Sequence, residues 1–373
     1  MRIGYDATSL CRRITGIESY ALNLIKALLE CDTENQYVLF FRRGIHPELK
    51  AYRDRAEMLI GPSSQIACEQ LWLPFVRRRR RLDLMHFPAF PPGLLTRGPF
   101  VMTVFDGTLW RNPGWLSWKA RRYMAPLTRL AARRARKVLT ISDFSRSEIL
   151  KFTEAAPENV VNAGIAISSA FRPERDESRC REVRDRYGLP SAYLLSVGSL
   201  EPRKNLSVLL EAFARLRREA PGWNRKLVLA GRRAWGADRI DDAIRGLGLK
   251  ADVVSADYVE SRDLPAVYSM ADLFVFPSLY EGFGLPPLEA MACGTPVVCS
   301  NAASLPEAVG RAAELVDPRD VPALAKAILR VATDASLRDR LRREGLLRAG
   351  RFSWAAVARR VQDLYNGCSR GLN

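Results

Sequence analysis

Two glutamates, Glu281 and Glu289, flank the segment Gly-Phe-Gly-Leu-Pro-Pro-Leu, which has the residue types of a sugar- and phosphate-binding turn. Gly282 and Gly284 leave backbone amides open to a ligand, and carboxylates accept hydrogen bonds from sugar hydroxyls. Because an apolar run at Leu273–Phe276 precedes the segment, we expect it at the carboxyl end of a parallel strand. The next helix is predicted to span Pro287–Cys293, with Glu289 in its first turn. Alternatively, the glycines and prolines only shape a turn.

A second segment, residues 196–205, carries two adjacent cations, Arg203 and Lys204, between a glycine turn at Gly198 and an amphipathic helical pattern. A departing nucleoside diphosphate needs its developing charge neutralised, and arginine, lysine and helix N-termini do this without a metal ion. An Arg-Lys pair can equally belong to a solvated surface. The chain has two histidines, no D-x-D sequence and no cluster of cysteine and histidine, so we expect metal-independent chemistry and no cofactor.

The hydrophobic pattern indicates which elements position these residues. Short apolar runs alternate with longer amphipathic stretches, as in βα units with parallel sheets. Ten runs predict strands, at 1–5, 37–41, 84–87, 100–105, 137–141, 193–197, 226–230, 251–254, 273–276 and 296–300. A polar stretch around 160–178 separates the two series. We predict an α/β protein with two doubly wound, Rossmann-like domains facing across a cleft: 1–170, with helix 354–373 packing back on it, and 171–353.

The segment from Glu281 to Glu289, with its continuation to Glu307, resembles the E-x7-E signature of retaining glycosyltransferases of family 4, the group 1 glycosyltransferases of GT-B fold. Bacterial mannosyltransferases of surface polysaccharide synthesis are among the sequences it resembles. The resemblance implies that Glu281 contacts the donor sugar, that Glu289 binds the ribose, and that Arg203 and Lys204 bind the diphosphate. The donor-binding residues that it implies are Gly16, Gly198, Arg203, Lys204, Glu281, Gly282, Phe283, Gly284, Leu285 and Glu289.

Three places in the first half also match family segments. Gly16 resembles a glycine loop near the donor phosphates, with a simple strand-to-helix turn as the alternative. Residues 103–106, Thr-Val-Phe-Asp, resemble a family Thr-Ile-His-Asp in which Phe105 replaces the histidine. Phe105 is then a core side chain or an apolar wall for the sugar, and Asp106 is a catalytic candidate on the acceptor side. Ser142 is a third acceptor-side candidate, although its residue type favours a helix N-cap.

Positive charge is concentrated in the first half, where residues 1–170 carry 26 Lys and Arg against 15 Asp and Glu, while the rest carries 32 against 26. The stretches 71–81 and 115–137 combine aromatic residues with arginine and lysine, which favours contact with an anionic membrane surface over a merely solvated face. No run approaches the ~20 apolar residues of a membrane span, and the N-terminus lacks a signal-peptide pattern. We expect a cytoplasmic protein, peripheral on the inner face of the cytoplasmic membrane.

The sequence therefore predicts a retaining hexosyltransferase that moves mannose or a related hexose from a nucleoside-diphosphate sugar to a hydroxyl of a glycan or lipid-linked acceptor. The expected pathway class is lipopolysaccharide, O-antigen or exopolysaccharide synthesis, with GDP-mannose or a GDP-deoxyhexose as first donor and a UDP-sugar as second. Two alternatives are a nucleotide-sugar epimerase of the same fold and a non-catalytic basic protein bound to membrane or nucleic acid. Because neither half has a recognisable nucleic-acid-binding module, we expect no nucleic-acid partner.

Overall fold

The computed structural model describes residues 1–10, 16–111, 113–115, 118, 120–233 and 236–369. The chain forms two compact units, of which the first comprises Met1–Ala166 with Ser353–Asn373 and the second comprises Ile167–Phe352. Each unit contains one parallel sheet covered by helices.

The first unit is built on a parallel sheet with the strand order β3-β2-β1-β4-β5-β6-β7. Its strands are largely uninterrupted apolar runs, which suits parallel strands that helices cover on both faces. In the described part of the chain these strands are β1 (Arg2–Asp6), β2 (Gln36–Phe41), β3 (Ala56–Ile60), β4 (Leu84–Phe87), β5 (Phe100–Thr103), β6 (Lys137–Thr140) and β7 (Val160–Asn162). The strand order reverses direction between β1 and β4.

The helices of the first unit, within the described residues, are α1 (Gly16–Cys31), α2 (Gln65–Ala67), α3 (Leu73–Arg79), α4 (Thr108–Arg111), α5 (Ala125–Arg134), α6 (Asp143–Thr153) and α15 (Trp354–Ser369). The C-terminal helix α15 packs on α1. Its Tyr365 hydroxyl lies 2.6 Å from Nδ1 of the buried His86, whose Nε2 lies 3.2 Å from the Thr103 hydroxyl. Burial lowers the pKa of His86 to about 3, so a neutral imidazole joins the sheet to α15.

The second unit is built on a parallel sheet with the order β10-β9-β8-β11-β12-β13. Within the described residues its strands are β8 (Tyr193–Val197), β9 (Lys226–Ala230), β10 (Val253–Asp257), β11 (Leu273–Phe276), β12 (Val297–Ser300) and β13 (Glu314–Val316). The central strands β11 and β12 are buried along their whole length. Successive strands extend outward from β8 on one side and from β11 on the other, so the order reverses between these two neighbours.

The described helices of the second unit are α7 (Glu177–Tyr187), α8 (Leu206–Glu219), α9 (Ala237–Gly246), α10 (Leu264–Ser269), α11 (Leu285–Ala292), α12 (Leu305–Val309), α13 (Val321–Thr333) and α14 (Ala335–Ala349). Aspartates begin three of them, because the carboxylates of Asp176, Asp320 and Asp334 accept hydrogen bonds from first-turn N–H groups. Helix α8 packs its apolar face on α13, and both lie in one hydrophobic core with β8, β9, β11 and β12.

Two doubly wound parallel sheets are present, so the predicted fold class is confirmed. Each of the ten predicted strands has a counterpart, whereas the pattern does not predict β3, β7 or β13. All three lie at or beside a sheet edge, where fewer faces are covered and the apolar run is shorter or mixed with polar residues.

Candidate functional site

The candidate donor site lies at the carboxyl ends of β8 and β11, the neighbouring strands between which the strand order of the second unit reverses. In open α/β sheets the loops diverge at this point and leave a crevice for a ligand. The loop after β8 carries Arg203 and Lys204, and the loop after β11 carries Glu281. The topology therefore brings together cations and a carboxylate that are 77 and 78 residues apart in sequence.

The Glu281 carboxylate is the centre of a compact ion-pair cluster. Its Oε1 lies 2.7 Å from Lys204 Nζ and accepts a 2.6 Å hydrogen bond from the Ser278 hydroxyl. Its Oε2 lies 2.6 Å from Arg203 Nη1, and the same nitrogen donates to the Tyr280 carbonyl at 2.9 Å. Arg203 also pairs with Glu201 at 2.7 Å. Two cations are thus held side by side by carboxylates.

Burial makes the electrostatics of this cluster strong, because the side chains of both Lys204 and Glu281 are only 11% exposed. Burial alone would raise the pKa of Glu281, but Lys204 and Arg203 outweigh it and lower the pKa to about 2. Burial lowers the pKa of Lys204 below its ordinary value, against the opposing effect of Glu281. Burial acts in the same direction on the pKa of Arg203, but Glu281 and Glu201 outweigh it and raise that pKa.

The Lys204 side chain packs between the backbone of the turn after β8 and an aromatic ring. Its Nζ is 4.7 Å from the ring centroid of Phe276, at the end of β11. A Cβ added at Gly198 would lie 3.1 Å from Lys204 Cε, and one added at Gly231 would lie 1.9 Å from the Gly198 carbonyl oxygen. Both glycines have positive φ angles, +148° and +152°, which side chains disfavour. Glycine at these positions therefore permits the lysine to lie against the turn after β8.

Two polar side chains hold the loops of the site in place. Asn205, in the left-handed region with φ 57°, donates to the carbonyls of Pro277 and Pro318 at 3.1 and 2.6 Å. The Ser304 hydroxyl lies 2.8 Å from the carbonyl oxygens of both Glu281 and Phe283. Because Asn205 follows the two cations directly, it fixes their loop to the end of β11.

The loop after Glu281 leads into the N-terminus of α11. Gly284 is the N-cap residue, with φ +116°, and a Cβ there would lie 2.6 Å from Leu305 Cδ2. The N–H groups of Phe283 and Gly284 have no acceptor among the described residues. Unlike these two residues, Gly282 has an interaction partner. Leu285 is the first residue of the helix. Free amides and the helix dipole at this end of α11 suit an anionic or polar ligand.

Glu289 lies elsewhere in α11 than the sequence predicts. The prediction placed it in the first turn of a helix that begins at Pro287, but α11 begins at Leu285, so Glu289 is the fifth residue and lies in the second turn. It is half-buried, and its Oε2 accepts a 2.9 Å hydrogen bond from the Tyr268 hydroxyl of α10. Burial raises the pKa of Glu289 to about 7, against the smaller opposing effects of Tyr268 and Lys204.

In the first unit, the structure gives one sequence-predicted residue a clear local role. Ser142 is fully buried and is the N-cap of α6, where its hydroxyl accepts a 2.9 Å hydrogen bond from Ser145 N–H. The N-cap prediction is therefore confirmed. Gly16 is exposed at the start of α1, with no atom near a hypothetical Cβ, and the residues just before it, 11–15, lie outside the described part of the chain.

The residues that follow β5 have mixed surroundings. Phe105 is half-buried, and its ring makes an edge contact with Tyr20 of α1 at 5.1 Å between centroids. Tyr20 makes a similar contact with Trp354 at 5.6 Å. Asp106 is half-buried, and its Oδ1 accepts a 2.8 Å hydrogen bond from Thr108 N–H. Phe105 thus belongs to an aromatic cluster and keeps part of its surface open.

Only part of the two basic aromatic stretches is exposed. Arg77 is buried and donates to the carbonyls of Arg97 and Pro99, so it stabilises the unit from within. Arg78 and Arg79 are exposed. Lys119 of the second stretch lies outside the described residues, while Trp118 is 69% exposed with Arg122 over its ring.

Sequence reasoning missed several residues that shape the site. Ser278 and Ser304 bind the Glu281 loop, Asn205 fixes the cation loop, and Tyr268 contacts Glu289. Ser278 stands three residues before Glu281 and could have been suspected as a local partner. Tyr268 gives no such signal, because it lies in an apolar segment 21 residues from Glu289.

The described residues hold no group of three or more His, Cys, Asp or Glu side chains arranged to bind a metal ion. Within the same residues, no helix is long and apolar enough to cross a membrane. The site can bind an anion through Arg203, Lys204 and the α11 N-terminus, and it can accept hydrogen bonds through Glu281 and Glu289.

Comparisons with known proteins agree with this picture. Residues 182–348 match the family model described as glycosyl transferases group 1. The chain is 34% identical over 385 residues to the O-antigen chain mannosyltransferase B of Escherichia coli, covering 98% of this chain and 99% of that protein.

Solved structures show the same fold. A glycosyltransferase from Rickettsia africae has a TM-score of 0.75 at 16% identity, with 98% of each chain covered. The Anabaena protein HepE in complex with UDP and glucose has a TM-score of 0.75 at 20% identity, covering 98% of this chain and all of that one.

The two Rossmann-like units and the structural matches define a GT-B fold, and the family model and the E. coli relative define a glycosyltransferase. The chain belongs to the group 1 glycosyltransferases. The expectation of a hexosyltransferase is confirmed at the level of enzyme class.

Proposed function

We propose that the protein moves mannose or a related hexose from a nucleoside-diphosphate sugar to a hydroxyl of a glycan or lipid-linked acceptor, with retention of anomeric configuration. The observation that carries the proposal is the buried cluster of Glu281, Arg203 and Lys204 beside the N-terminus of α11. GDP-mannose or a GDP-deoxyhexose is the first choice of donor, supported by the similarity to an O-antigen mannosyltransferase. A UDP-sugar is the second choice.

Arg203 and Lys204 would bind the diphosphate, because Glu281 already holds both cations at one point in a site screened from water. The free N–H groups of Phe283 and Gly284 would add hydrogen bonds to phosphate or sugar oxygens, with Gly198, Gly282 and Leu285 shaping the backbone around them. Glu289 would accept a hydrogen bond from the ribose, and Glu281 would contact the sugar while it orients the cations. Gly16 is assigned to the donor phosphates as well.

The acceptor side is assigned to the first unit. Phe105 offers a partly open apolar surface, and Asp106 offers a carboxylate that is half-exposed. Ser142 is fully buried and caps α6, which favours Phe105 and Asp106 over Ser142 as the acceptor-side contacts.

The reaction that suits this site is a substitution on one face of the sugar. The bond between the anomeric carbon and the diphosphate oxygen breaks, the acceptor oxygen bonds to that carbon, and its proton passes to the departing phosphate. This substitution requires no enzyme nucleophile and no metal ion. The protein contributes by stabilising the negative charge that develops on the leaving phosphate, through cations that need no reorientation during the reaction.

We propose that an exposed group of apolar side chains in the first unit, here called the apolar patch, contacts the membrane. Its members are each more than half exposed: Ile66, Leu71, Phe75, Leu94 and Leu95. A 2.9 Å hydrogen bond from Leu94 N–H to Gln70 joins its two segments, and the exposed Arg78 and Arg79 follow on α3. Apolar side chains beside cations suit the headgroup region of an anionic bilayer, where each cation contributes ~1 kcal/mol.

Exposed aromatic residues of the second basic stretch, Trp118 and Tyr123, extend this character. The similarity to an O-antigen mannosyltransferase supports a location at the inner face of the cytoplasmic membrane, where lipid-linked acceptors would be available.

A binding screen followed by a transfer assay tests the proposal. Thermal unfolding with GDP, UDP, ADP and dTDP should show stabilisation by the cognate nucleotide, because a ligand that binds only the folded state raises its stability. The matching labelled nucleotide sugar is then incubated with and without detergent-extracted lipid-linked glycans. Label should move only when the glycan is present. An epimerised donor in the absence of acceptor would establish the alternative epimerase, and absence of binding by all four nucleotides would overturn the donor assignment.

Membrane contact is tested by flotation with vesicles of phosphatidylcholine, with and without 30 mol% phosphatidylglycerol, a composition that supplies on the order of the anionic charge of a bacterial leaflet. Leu71→Asp should lower binding to the anionic vesicles at least fivefold. Leu347→Asp, which changes a leucine of α14 that is also 72% exposed, is the matched control and should leave binding unchanged. Equal losses in both variants would contradict the assignment of the patch.

A further inference from the structure

The phenol of Tyr268 makes a direct contact with the side chain of Glu289. Tyr268 lies on α10 and has no exposed surface, and its hydroxyl donates to Glu289 Oε2 at 2.9 Å. Glu289 lies on α11, the helix whose N-terminus faces the donor site. The contact therefore joins a residue of the core to a carboxylate at the edge of the site.

Packing fixes the tyrosine firmly. Its ring makes edge contacts with Phe274 of β11 and with Phe171, at 5.4 and 6.0 Å between centroids. Its carbonyl accepts a 2.6 Å hydrogen bond from the Thr295 hydroxyl. A fully buried ring packed on two sides has little room to change its orientation, so the phenol is a rigid donor.

The carboxylate of Glu289 is held at one oxygen only. Oε2 accepts the phenol hydrogen bond, whereas Oε1 has no hydrogen-bond partner among the described residues. Glu289 is also only partly buried, so this second oxygen is accessible to a ligand. An ionised carboxylate accepts several hydrogen bonds, and an unpaired oxygen in a half-buried position favours a hydroxyl donor.

We propose that Tyr268 is a positioning residue for nucleotide recognition, which orients Glu289 so that Oε1 accepts a hydrogen bond from the ribose diol of the donor nucleotide. The inference rests on the proposed function, in which Glu289 binds the ribose. Without the phenol, the glutamate side chain loses the one hydrogen bond that it makes with the described residues, and the oriented acceptor is lost. The loss should appear as weaker discrimination of ribose hydroxyls, since the diphosphate contacts lie elsewhere.

The test compares nucleotide binding in the full-length protein and its Tyr268→Phe variant by titration calorimetry. GDP and UDP are titrated first, and the tighter binder is then compared with its 2′,3′-dideoxy form. The wild type should bind the ribonucleotide about tenfold more tightly, as expected for a hydrogen bond to a charged group. In Tyr268→Phe this ratio should fall to about threefold or less, and KM for the donor should rise more than kcat falls.

Tyr193→Phe is the matched control. Tyr193 is another fully buried tyrosine of the same unit, and its hydroxyl donates to the Val267 carbonyl at 2.7 Å without touching Glu289. This variant should lose stability and keep the tenfold ratio. In a Glu289→Gln background, Tyr268→Phe should change the ratio no further.

The outcomes separate the two proposals. A wild type that binds neither GDP nor UDP overturns the donor assignment and this inference together. A wild type that discriminates the dideoxy form, with Tyr268→Phe retaining the full ratio, overturns the positioning role alone. An equal fall of this affinity ratio in Tyr193→Phe also overturns the positioning role, because a general loss of rigidity then explains the effect.

Discussion

Replacement of Lys204 by methionine isolates the charge of the donor site from its packing. Methionine matches the length of the lysine stem, so the packing of that stem beside Gly198 is largely retained, whereas the contact of Nζ with the Phe276 ring is lost. The ammonium that lies 2.7 Å from Glu281 is lost. The proposed function requires this ammonium to bind the departing phosphate, so Lys204→Met should act mainly on the chemical step.

The magnitude follows from the surroundings of the lysine. A hydrogen bond to a charged group contributes about 1.5–3 kcal/mol, and the low exposure of the side chain, 11%, places it in a poorly screened site. Since 1.4 kcal/mol corresponds to a tenfold change in rate, kcat/KM should fall by about 10- to 100-fold. Removing one partner of a buried pair can cost about 3–5 kcal/mol of stability, but Glu281 keeps Arg203 and Ser278, so we expect about 1–2 kcal/mol.

The assay measures initial rates of sugar transfer together with thermal unfolding. Lys226→Met, at the exposed start of β9, is the control and should keep both the rate and the Tm. A Lys204→Met rate within twofold of wild type would refute the phosphate role. A large rate loss accompanied by a collapse of Tm beyond the expected cost would also refute it, because it would assign the lysine to stability alone.

Three further results are expected. Donor affinity should rise with pH through about 7, because the pKa of Glu289 is raised to about 7 and its ionised form accepts the hydrogen bond from the ribose hydroxyl. A donor affinity that stays constant between pH 6 and 8, on the order of one unit either side of that pKa, would contradict this. The Glu281 ion pairs should stabilise the fold fully above pH 4.5 and lose that effect as pH falls towards the lowered pKa of about 2, so urea midpoints of Glu281→Gln should depend less on acid than wild type. Gly284→Ala should destabilise the protein by about 1–3 kcal/mol, because φ is +116° and Leu305 lies 2.6 Å from the added Cβ. Gly246→Ala, in helix α9 with open space around it, should be neutral or slightly stabilising by about 0.4–1 kcal/mol, and equal effects would refute the steric argument.

Local sequence predicted much of the fold and pointed to residues that the structure brings together in the candidate site. Uninterrupted apolar runs predict buried parallel strands well, because such strands are covered on both faces. Arg203, Lys204 and Glu281 stand in turns directly after two of these strands, which is where parallel sheets bind ligands.

What local sequence could not supply is the pairing between distant segments. The Glu281 cluster forms across 77 residues and Tyr268 reaches Glu289 across 21, so neither contact has a periodic or motif signal. The burial of Arg77 has the same origin, because its carbonyl partners lie on a separate segment near Pro99. The sequence alone does not show which of the five consecutive arginines is buried.

Helix starts depend on backbone geometry that composition leaves open. The prolines at 286 and 287 suit more than one position of a first turn, and the positive φ of Gly284 decides between them by starting α11 at Leu285. Glu289 is therefore in the second turn of α11, where its carboxylate contacts Tyr268.

The most direct test of the central claim is a transfer reaction followed by NMR. Wild type and Glu281→Gln are incubated with 13C-labelled GDP-mannose and lipid-linked glycan acceptor, and the anomeric one-bond carbon–hydrogen coupling of the product is measured. The account predicts glycan-bound mannose with the α configuration of the donor, and at least tenfold less product from Glu281→Gln. A β-linked product, or equal product from both proteins, would contradict it.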